Sequence, residues 1–429
     1  MHRIPAILVV AVGSLACACA SAPPAATPPL PPAAPVPSAS PAPSAAAAPS
    51  ASATEAPGPA GAGTDVASVV IVNPLPEPRR QETIALSLAD VARAVPALAP
   101  DRLLVVDAAG ATLLSQLVDL DGDKTLDQLV FQVDLAARET RTVKLCMGDR
   151  PPAAAADFRV YGRFVRERLD DFAWENDWVA HRVYGPALET AGKDALISSG
   201  IDVWVKRVRR LVVNEWFMTD NYHQDHGDGL DAYKVGPSRG CGGEGIWAGG
   251  KLAVSRNFTT SRVLANGPLR LVFELDYPAW QAGGARVTET KRVILDAGTL
   301  FNQVRSTFSG GAALSVAIGV AKHPGGTVEF DASSAWMWAW EPLNEGKDGN
   351  LGCAIVLRPG ASVTQQQTEA DQLLVLPVKG GTPAEYSLGT AWDRGGRVTG
   401  LADWNREVES QSRRLATPVG VTIAAISAP

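Results

Sequence analysis

The sequence predicts an all-β body with a single C-terminal helix. Three observations predict it. After Asp65, short apolar runs recur roughly every 10 to 15 residues with turn residues between them, the rhythm of a β-sandwich. Beyond Pro151 the runs lengthen and carry charges at alternate positions, as strands with one wet face do. Helical spacing over a long stretch occurs only at Asp403–Leu415, with Glu407, Glu409, Arg413 and Arg414 on its outer side.

The N-terminal residues precede this body and have a different character. Residues 1–20 read as a signal peptide: His2 and Arg3 lead an apolar run, Ile4 to Leu15, that is too short to span a bilayer. Ser14-Leu15-Ala16-Cys17-Ala18-Cys19-Ala20 offers two exits. Cleavage before Cys17 or Cys19, with lipid added to the thiol, gives an anchored lipoprotein and is the favoured reading. Ser14 stands where a large aliphatic is usual. Cleavage after Ala20 gives a soluble product. Either way the expected destination is outside the cytoplasm, in the periplasm or at the outer membrane, with membrane contact only through the lipid. Residues 21–63 are almost entirely Ala, Pro, Ser, Gly and Thr, with Glu55 the single charge. Such a stretch cannot bury enough surface to offset chain entropy and forms a semi-rigid spacer.

The first block of strands is expected at Val66–Asn73, Glu82–Ser87, Arg102–Asp107, Thr112–Asp119, Gln128–Leu135 and Thr140–Met147, with a short helix at Ser87–Val95. Residues 64–148 therefore form a small antiparallel β-sandwich, and residues 149–429 a second, larger domain. In that domain strands are expected at Val160–Asp171, Trp178–Tyr184, Val203–Val213, Arg270–Tyr277, Arg286–Leu295, Leu300–Phe308, Leu314–Ala321, Ala335–Trp340, Gly352–Leu357 and Gln372–Val378. Period-2 arithmetic puts Thr288, Thr290 and Arg292 on one face of a long strand and Glu289 and Lys291 among valines on the other.

The net charge of −6 disfavours nucleic acid as a partner, and the one basic run is Lys206–Arg210. Cys146, Cys241 and Cys353 allow one disulfide with one thiol left over, and no Cys/His spacing suits structural zinc. The densest polar stretch runs from Asn221 to Gly243. It holds Tyr222, His223, Asp225, His226, Asp228, Asp231, Lys234 and Arg239 on a Gly-rich loop, the kind of segment on which sites are built. His223 or His226, oriented by Asp225, suits general acid–base work. Ligation of a divalent ion, zinc or calcium, by His223, Asp225 and His226 is the second reading, although the spacing matches no strong metal signature. No cofactor is otherwise implied. Asp119-Leu120-Asp121-Gly122-Asp123 with Asp127 is a turn with weak calcium character, lacking the glycine and glutamate of an EF-hand loop. Read as a strand, Trp178–Tyr184 sends Arg182 and Tyr184 to one surface and His181 to the other, between two valines, as a core histidine. Trp336, Trp338 and Trp340 share a face, and Trp338 is a candidate sugar platform among the eleven tryptophans.

Glu175-Asn176-Asp177, Arg182-Val183-Tyr184-Gly185-Pro186, Gly200-Ile201-Asp202-Val203-Trp204, Tyr222-His223…Asp225-His226-Gly227 and Tyr233-Lys234-Val235-Gly236…Gly240-Cys241-Gly242-Gly243 resemble the bacterial family catalogued as domain of unknown function 4861. The resemblance covers nearly all of residues 65–415. It implies that the large domain is a β-supersandwich of the galactose-mutarotase and polysaccharide-lyase kind, in proteins that accompany polysaccharide breakdown. On that fold, elimination from a uronic acid needs a cation on the carboxylate, a base, and a group to protonate the leaving oxygen. The expected assignment gives the carboxylate to Arg239 with Arg182 or Lys234, the proton abstraction to His223, and the leaving group to Tyr184 or His226. Tyr222 and Trp338 would contact the oligosaccharide or polysaccharide. Two alternatives stand beside it. One is a mutarotase or epimerase using a His with Glu289 or Glu274. The other is a non-catalytic glycan-binding lipoprotein relying on Trp338 or Trp392.

Overall fold

A computed structural model describes residues 63–219 and 221–426. The signal peptide and nearly all of the tether lie outside the described residues. The architecture is all-β: a small β-sandwich lobe, a large supersandwich and few helices.

In the small lobe, a sheet ordered Gly420–Ala425, Thr64–Val72, Thr140–Met147, Leu103–Val106 and Thr112–Leu113 faces a three-stranded sheet of Arg79–Ser87, Gln128–Leu135 and Ser115–Val118. Alternate residues of the facing strands, Val69, Ile71, Leu86, Phe131 and Val143 among them, close its core. The helix Leu88–Ala94 (α1) starts at Ser87, whose hydroxyl accepts from the Asp90 N–H. One strand of this lobe comes from the far end of the chain: Gly420–Ala425 pairs antiparallel with Thr64–Val72.

The large lobe packs an eight-stranded antiparallel sheet, from Thr260–Asn266 through Arg270–Ala282, Ala285–Asp296, Phe301–Ser309, Pro383–Trp392, Asn350–Val356 and Trp336–Pro342 to Thr327–Asp331, against two five-stranded sheets. One of these is built around Cys241–Ala248, Ala313–Ala321 and Asp371–Lys379. The other is ordered Gly229–Leu230, Asp202–Lys206, Ala180–Val183, Asp171–Asn176 and Val160–Val165, and it carries the candidate site. The expected wet face of the long strands holds only in part. Thr288 and Thr290 are exposed, but Arg270 is buried in a bidentate pair with Asp296, 2.7 and 2.8 Å. Gln116 of the small lobe accepts from the backbone N–H groups of Leu269 and Arg270, both at 2.8 Å, and so ties the lobes together. Glu289 and Lys291 do turn inward, beside Glu244 in the core between the sheets.

The helix Leu401–Ala416 buries Trp404, Val408 and Ser412, one face at a four-residue spacing. Trp404 lies flat on Phe301, and Gly352 is required beneath it because a Cβ there would meet the indole at 2.6 Å. Several expectations need correction. The strand expected over Val160–Asp171 ends at Val165, and Asp171 opens the next one; that over Thr112–Asp119 divides between two sheets as Thr112–Leu113 and Ser115–Val118. The strand expected over Val203–Val213 stops at Lys206, and Val213–Phe217 is a short helix. Cys241–Gly243, expected as the end of a loop, opens the strand Cys241–Ala248, whose register slips between Cys241 and Glu244 and whose glycines admit close neighbours: a Cβ on Gly242 would meet Leu388 at 2.7 Å. All three described cysteines are free thiols.

Candidate functional site

The three central strands of the site sheet pair in a register that sets Arg182 opposite Asp202 and Ala173, and Ala180 opposite Trp204 and Glu175. Side-chain alternation then places Asp171, Glu175, Arg182, Asp202, Trp204 and Lys206 on one face. The other face, with Phe172, Trp174 and His181, packs on the eight-stranded sheet. There His181 stacks on Trp174 and meets Thr390 Oγ1 at 3.2 Å, as a core histidine does. The outer face is roofed by Val213–Phe217 and the loop that follows. Glu175 holds that roof down, since its carboxylate accepts from the N–H groups of Val212 and Val213 while receiving Lys206 Nζ at 2.6 Å.

Under the roof a single cation faces three carboxylates. Arg182 Nη2 donates to Asp202 Oδ2 at 2.6 Å and lies 3.3 Å from Asp231 Oδ2, and Nε is 3.8 Å from Asp171 Oδ2. The Tyr184 hydroxyl donates to Asp202 Oδ2 at 3.2 Å. Burial pushes the Asp171 carboxyl up to about 7, against the pull of Arg182 and with a contribution from the Asp202 charge. Burial likewise raises Asp202 and Asp231, opposed in each case by Arg182. Three carboxylates sharing one guanidinium cannot all ionise cheaply, so the cluster retains a proton near neutrality. Burial and the Asp202 charge keep the Tyr184 phenol protonated.

His223 joins this cluster to solvent. Its Nδ1 is 3.1 Å from the Asp231 carbonyl oxygen and 3.6 Å from Asp231 Oδ2. The Asp231 carbonyl, the acceptor within hydrogen-bond reach, assigns the proton to Nδ1, with the Asp231 carboxylate nearby, and leaves Nε2 as the nitrogen with a free lone pair. The ring lies tilted against Tyr222, 4.4 Å between ring centres, and its side chain is 52% exposed. His223, Gln224, Asp225 and Leu230 form one wall of an open cleft of about 580 Å³, and Asn344, Glu345, Lys347 and Asp348 form the other. The exposed cations Lys234 and Arg168 act electrostatically on Asp231, and the Arg168 guanidinium lies 5.4 Å from the Tyr222 ring centre. His323 fixes the Lys234 backbone: Nε2 is 2.7 Å from its carbonyl and Nδ1 is 2.8 Å from Glu341.

Of the residues singled out in the sequence, Tyr184, Arg182, Tyr222 and His223 come together here, with Lys234 at the edge. The others need correction. Asp225 does not orient a histidine. It pairs with Arg207 and accepts from the N–H groups of Gly227 and Gly229, holding the loop's own turn, while Asp231 takes the orienting place. His226 is exposed and has no hydrogen-bond partner among the described residues. Arg239 is buried, 1% exposed, with Nη1 donating to Ser199 Oγ at 2.8 Å, and so is unavailable to hold a substrate. Arg182 is held by its aspartates. Trp338, 2% exposed, donates from Nε1 to Asn405 of the C-terminal helix at 2.9 Å and is core. Trp392 is buried too, its Nε1 bonded to the Asp348 carbonyl at 2.7 Å. Glu289 is sealed in the core and Glu274 is held by Arg262 and Arg292 on the sheet's outer side.

Asp171, Asp202 and Arg168 were not singled out as site residues. Period-2 reading of Asp202–Lys206 beside Ala180–Val183 would have aligned Asp202 with Arg182. Arg168 carries no pattern. Asp119, Asp121 and Asp127 bring side-chain oxygens within 4.8 Å of one another and are the described acidic group able to approach a metal ion. Their oxygens already accept N–H groups of their own loop: Asp119 from Gly122 and Lys124, Asp127 from Leu120.

Comparison with known proteins adds the following. The profile of a family described as domain of unknown function DUF4861 matches residues 71–421. "Uncharacterized protein P7" of Formosa agariphila is 33% identical over 371 residues, spanning 83% of this chain and 93% of that protein. Two solved structures from Enterococcus faecalis each align with 85% of this chain at 9% identity: an alpha-mannosidase with a TM-score of 0.47, and a protein in glycosyl hydrolase family 38 with 0.49. This chain spans about half their length, 47% and 49%.

Proposed function

The chain belongs to the DUF4861 family, and we propose that it is an acid–base enzyme acting on carbohydrate, with His223 as the base at the cleft. One observation carries the reading: His223 turns Nδ1 to Asp231 and leaves Nε2 facing a polar cleft, the arrangement a general base needs. The cleft walls, His, Gln, Asn and carboxylates, suit hydroxyl groups, in keeping with the carbohydrate context the family resemblance implies.

In its finer form the proposal is elimination from a uronic-acid oligosaccharide. His223 Nε2 takes the proton from the carbon beside the carboxylate, the neighbouring C–O bond breaks, a C=C bond forms, and the leaving oxygen is protonated. Lys234 and Arg168, exposed cations without an ion-pair partner among the described residues, hold the substrate carboxylate in place of Arg182 and Arg239, which are already held by other groups. The proton held among Asp171, Asp202 and Asp231 supplies the acid side through solvent. The proposal includes export, on the signal peptide and tether read in residues 1–63.

The test is absorbance at about 235 nm, where an unsaturated uronate absorbs, on incubating the full chain with uronic-acid oligosaccharides with and without EDTA. A rise insensitive to EDTA supports a His base without metal. A flat trace across the panel removes the elimination, and anomer interconversion without absorbance change replaces it with a mutarotase.

A further inference from the structure

We propose that an arginine-lined cavity between the small lobe and the C-terminal helix binds an oxyanion, a carboxylate or a sulfate, at a site separate from the His223 cleft. The cavity holds about 350 Å³ and is walled by five guanidinium groups, Arg79, Arg80, Arg270, Arg397 and Arg414, against two carboxylates, Glu82 and Asp296. It shares no lining residue with the cleft.

Both carboxylates are committed. Asp296 is taken bidentately by Arg270, and Glu82 Oε1 receives Arg79 Nη1 at 2.8 Å. Arg79 also donates to Asn73 and to the Thr417 carbonyl, and Arg397 is held by Glu407 and the Gly298 carbonyl, so these three arginines form a rigid positive frame. The other two retain donors for a ligand. Arg414 Nη2 donates to the Pro78 carbonyl at 3.4 Å, but Nε is buried with no hydrogen-bond partner, and Nη1 stops 3.7 Å from Glu82 Oε2, beyond hydrogen-bond length. Arg80 has no hydrogen-bond or ion-pair partner among the described residues. Burial lowers the Arg414 proton affinity, and the neighbouring Arg79 and Arg397 lower it further against Glu82 and Glu407. A half-buried cation crowded by cations is relieved by an anion, and a guanidinium fork matches a planar or tetrahedral oxyanion.

The backbone is shaped to the same end. The register of Arg79–Ser87 against Gln128–Leu135 slips between Arg79 and Glu82, a bulge that re-aims Arg80 and Gln81. Gln81 takes a left-handed φ of 48°, unusual away from glycine. Opposite it Gly298, φ 78°, admits the Gln81 side chain, whose Oε1 would lie 2.5 Å from any Cβ there.

The test uses the purified full chain, by calorimetric titration and thermal shift, with sodium sulfate and sodium glucuronate against sodium chloride at matched ionic strength. The proposal expects saturable binding of at least one anion, weakened about tenfold in Arg414→Gln and measurably in Arg80→Gln, and unchanged in His223→Ala. Which anion binds identifies the ligand. Arg80 is exposed and unpaired, so its variant folds and decides the matter even where Arg414→Gln does not. Absence of saturable binding, or affinity unchanged in Arg80→Gln, overturns the site. Loss of binding in His223→Ala with full affinity in Arg80→Gln and Arg414→Gln would assign the anion to the cleft instead.

Discussion

Replacing Asp171 by Asn should change how stability depends on pH, and the sign follows from the structure. Asp171 Oδ1 accepts the Gly185 N–H at 2.9 Å, and an Asn amide oxygen keeps that bond. The carboxyl rises from 3.8 in the unfolded chain to about 7 in the folded one, chiefly through burial. Between those values the folded chain holds a proton that the unfolded chain has released. Stability from this group is therefore complete below pH 4 and is lost as pH rises through 7. At roughly 1.4 kcal/mol per pH unit, that interval corresponds to about 4 kcal/mol as an upper figure, reduced because Asp202 and Asp231 share the same proton. Asn cannot ionise, so D171N escapes the loss. The advantage of D171N over wild type in unfolding free energy, measured by urea titration, should grow by about 1–3 kcal/mol between pH 5 and pH 8. A variant with the wild-type pH slope, or one weakened more at pH 8 than at pH 5, would refute the crowded-carboxylate account.

Three further outcomes are expected. Glu175→Gln leaves buried Lys206 without its counter-charge, although the amide oxygen can keep the Val212 and Val213 N–H groups; a cost of about 3–5 kcal/mol should appear as a lowered Tm, with Glu175→Gln/Lys206→Met recovering part of it. Trp338→Ala should cost about 3–5 kcal/mol of stability by denaturant titration while glycan affinity of the folded fraction stays at the wild-type value, as core and not platform requires. His226→Ala should leave both Tm and turnover within error of wild type, because its ring is exposed and touches no described partner.

Much of the strand order was legible because period-2 alternation survives wherever one face is apolar. Thr288, Thr290 and Arg292 against Glu289 and Lys291 is the clearest case, although buried pairing of the inward charges is invisible to a pattern. The C-terminal helix was legible from the outward Glu407, Glu409, Arg413 and Arg414, and its buried face is Trp404, Val408 and Ser412. Cys241–Ala248 was not, because glycines that weaken a strand in general are here what lets Leu388 and Arg239 approach. The return of Gly420–Ala425 to the first strand joins residues some 350 positions apart and leaves no local trace. Within the site, the loop's concentration of titratable groups pointed to His223, but composition could not distinguish Asp225, which closes a turn, from Asp231, which meets the ring. The same limit applies to Arg182 and Arg239: a sequence shows the cation and not the carboxylates or hydroxyls that already hold it.

The most direct measurement is the rate of absorbance increase at about 235 nm on the best uronic-acid oligosaccharide, for wild type, His223→Ala and Asp231→Asn, each checked for an intact fold by circular dichroism. With His223 as base and Asp231 as its orienting partner, His223→Ala should lower turnover by about 10²–10⁴-fold and Asp231→Asn by a smaller factor, with KM little changed in both. Full turnover in a folded His223→Ala would contradict the account at its centre.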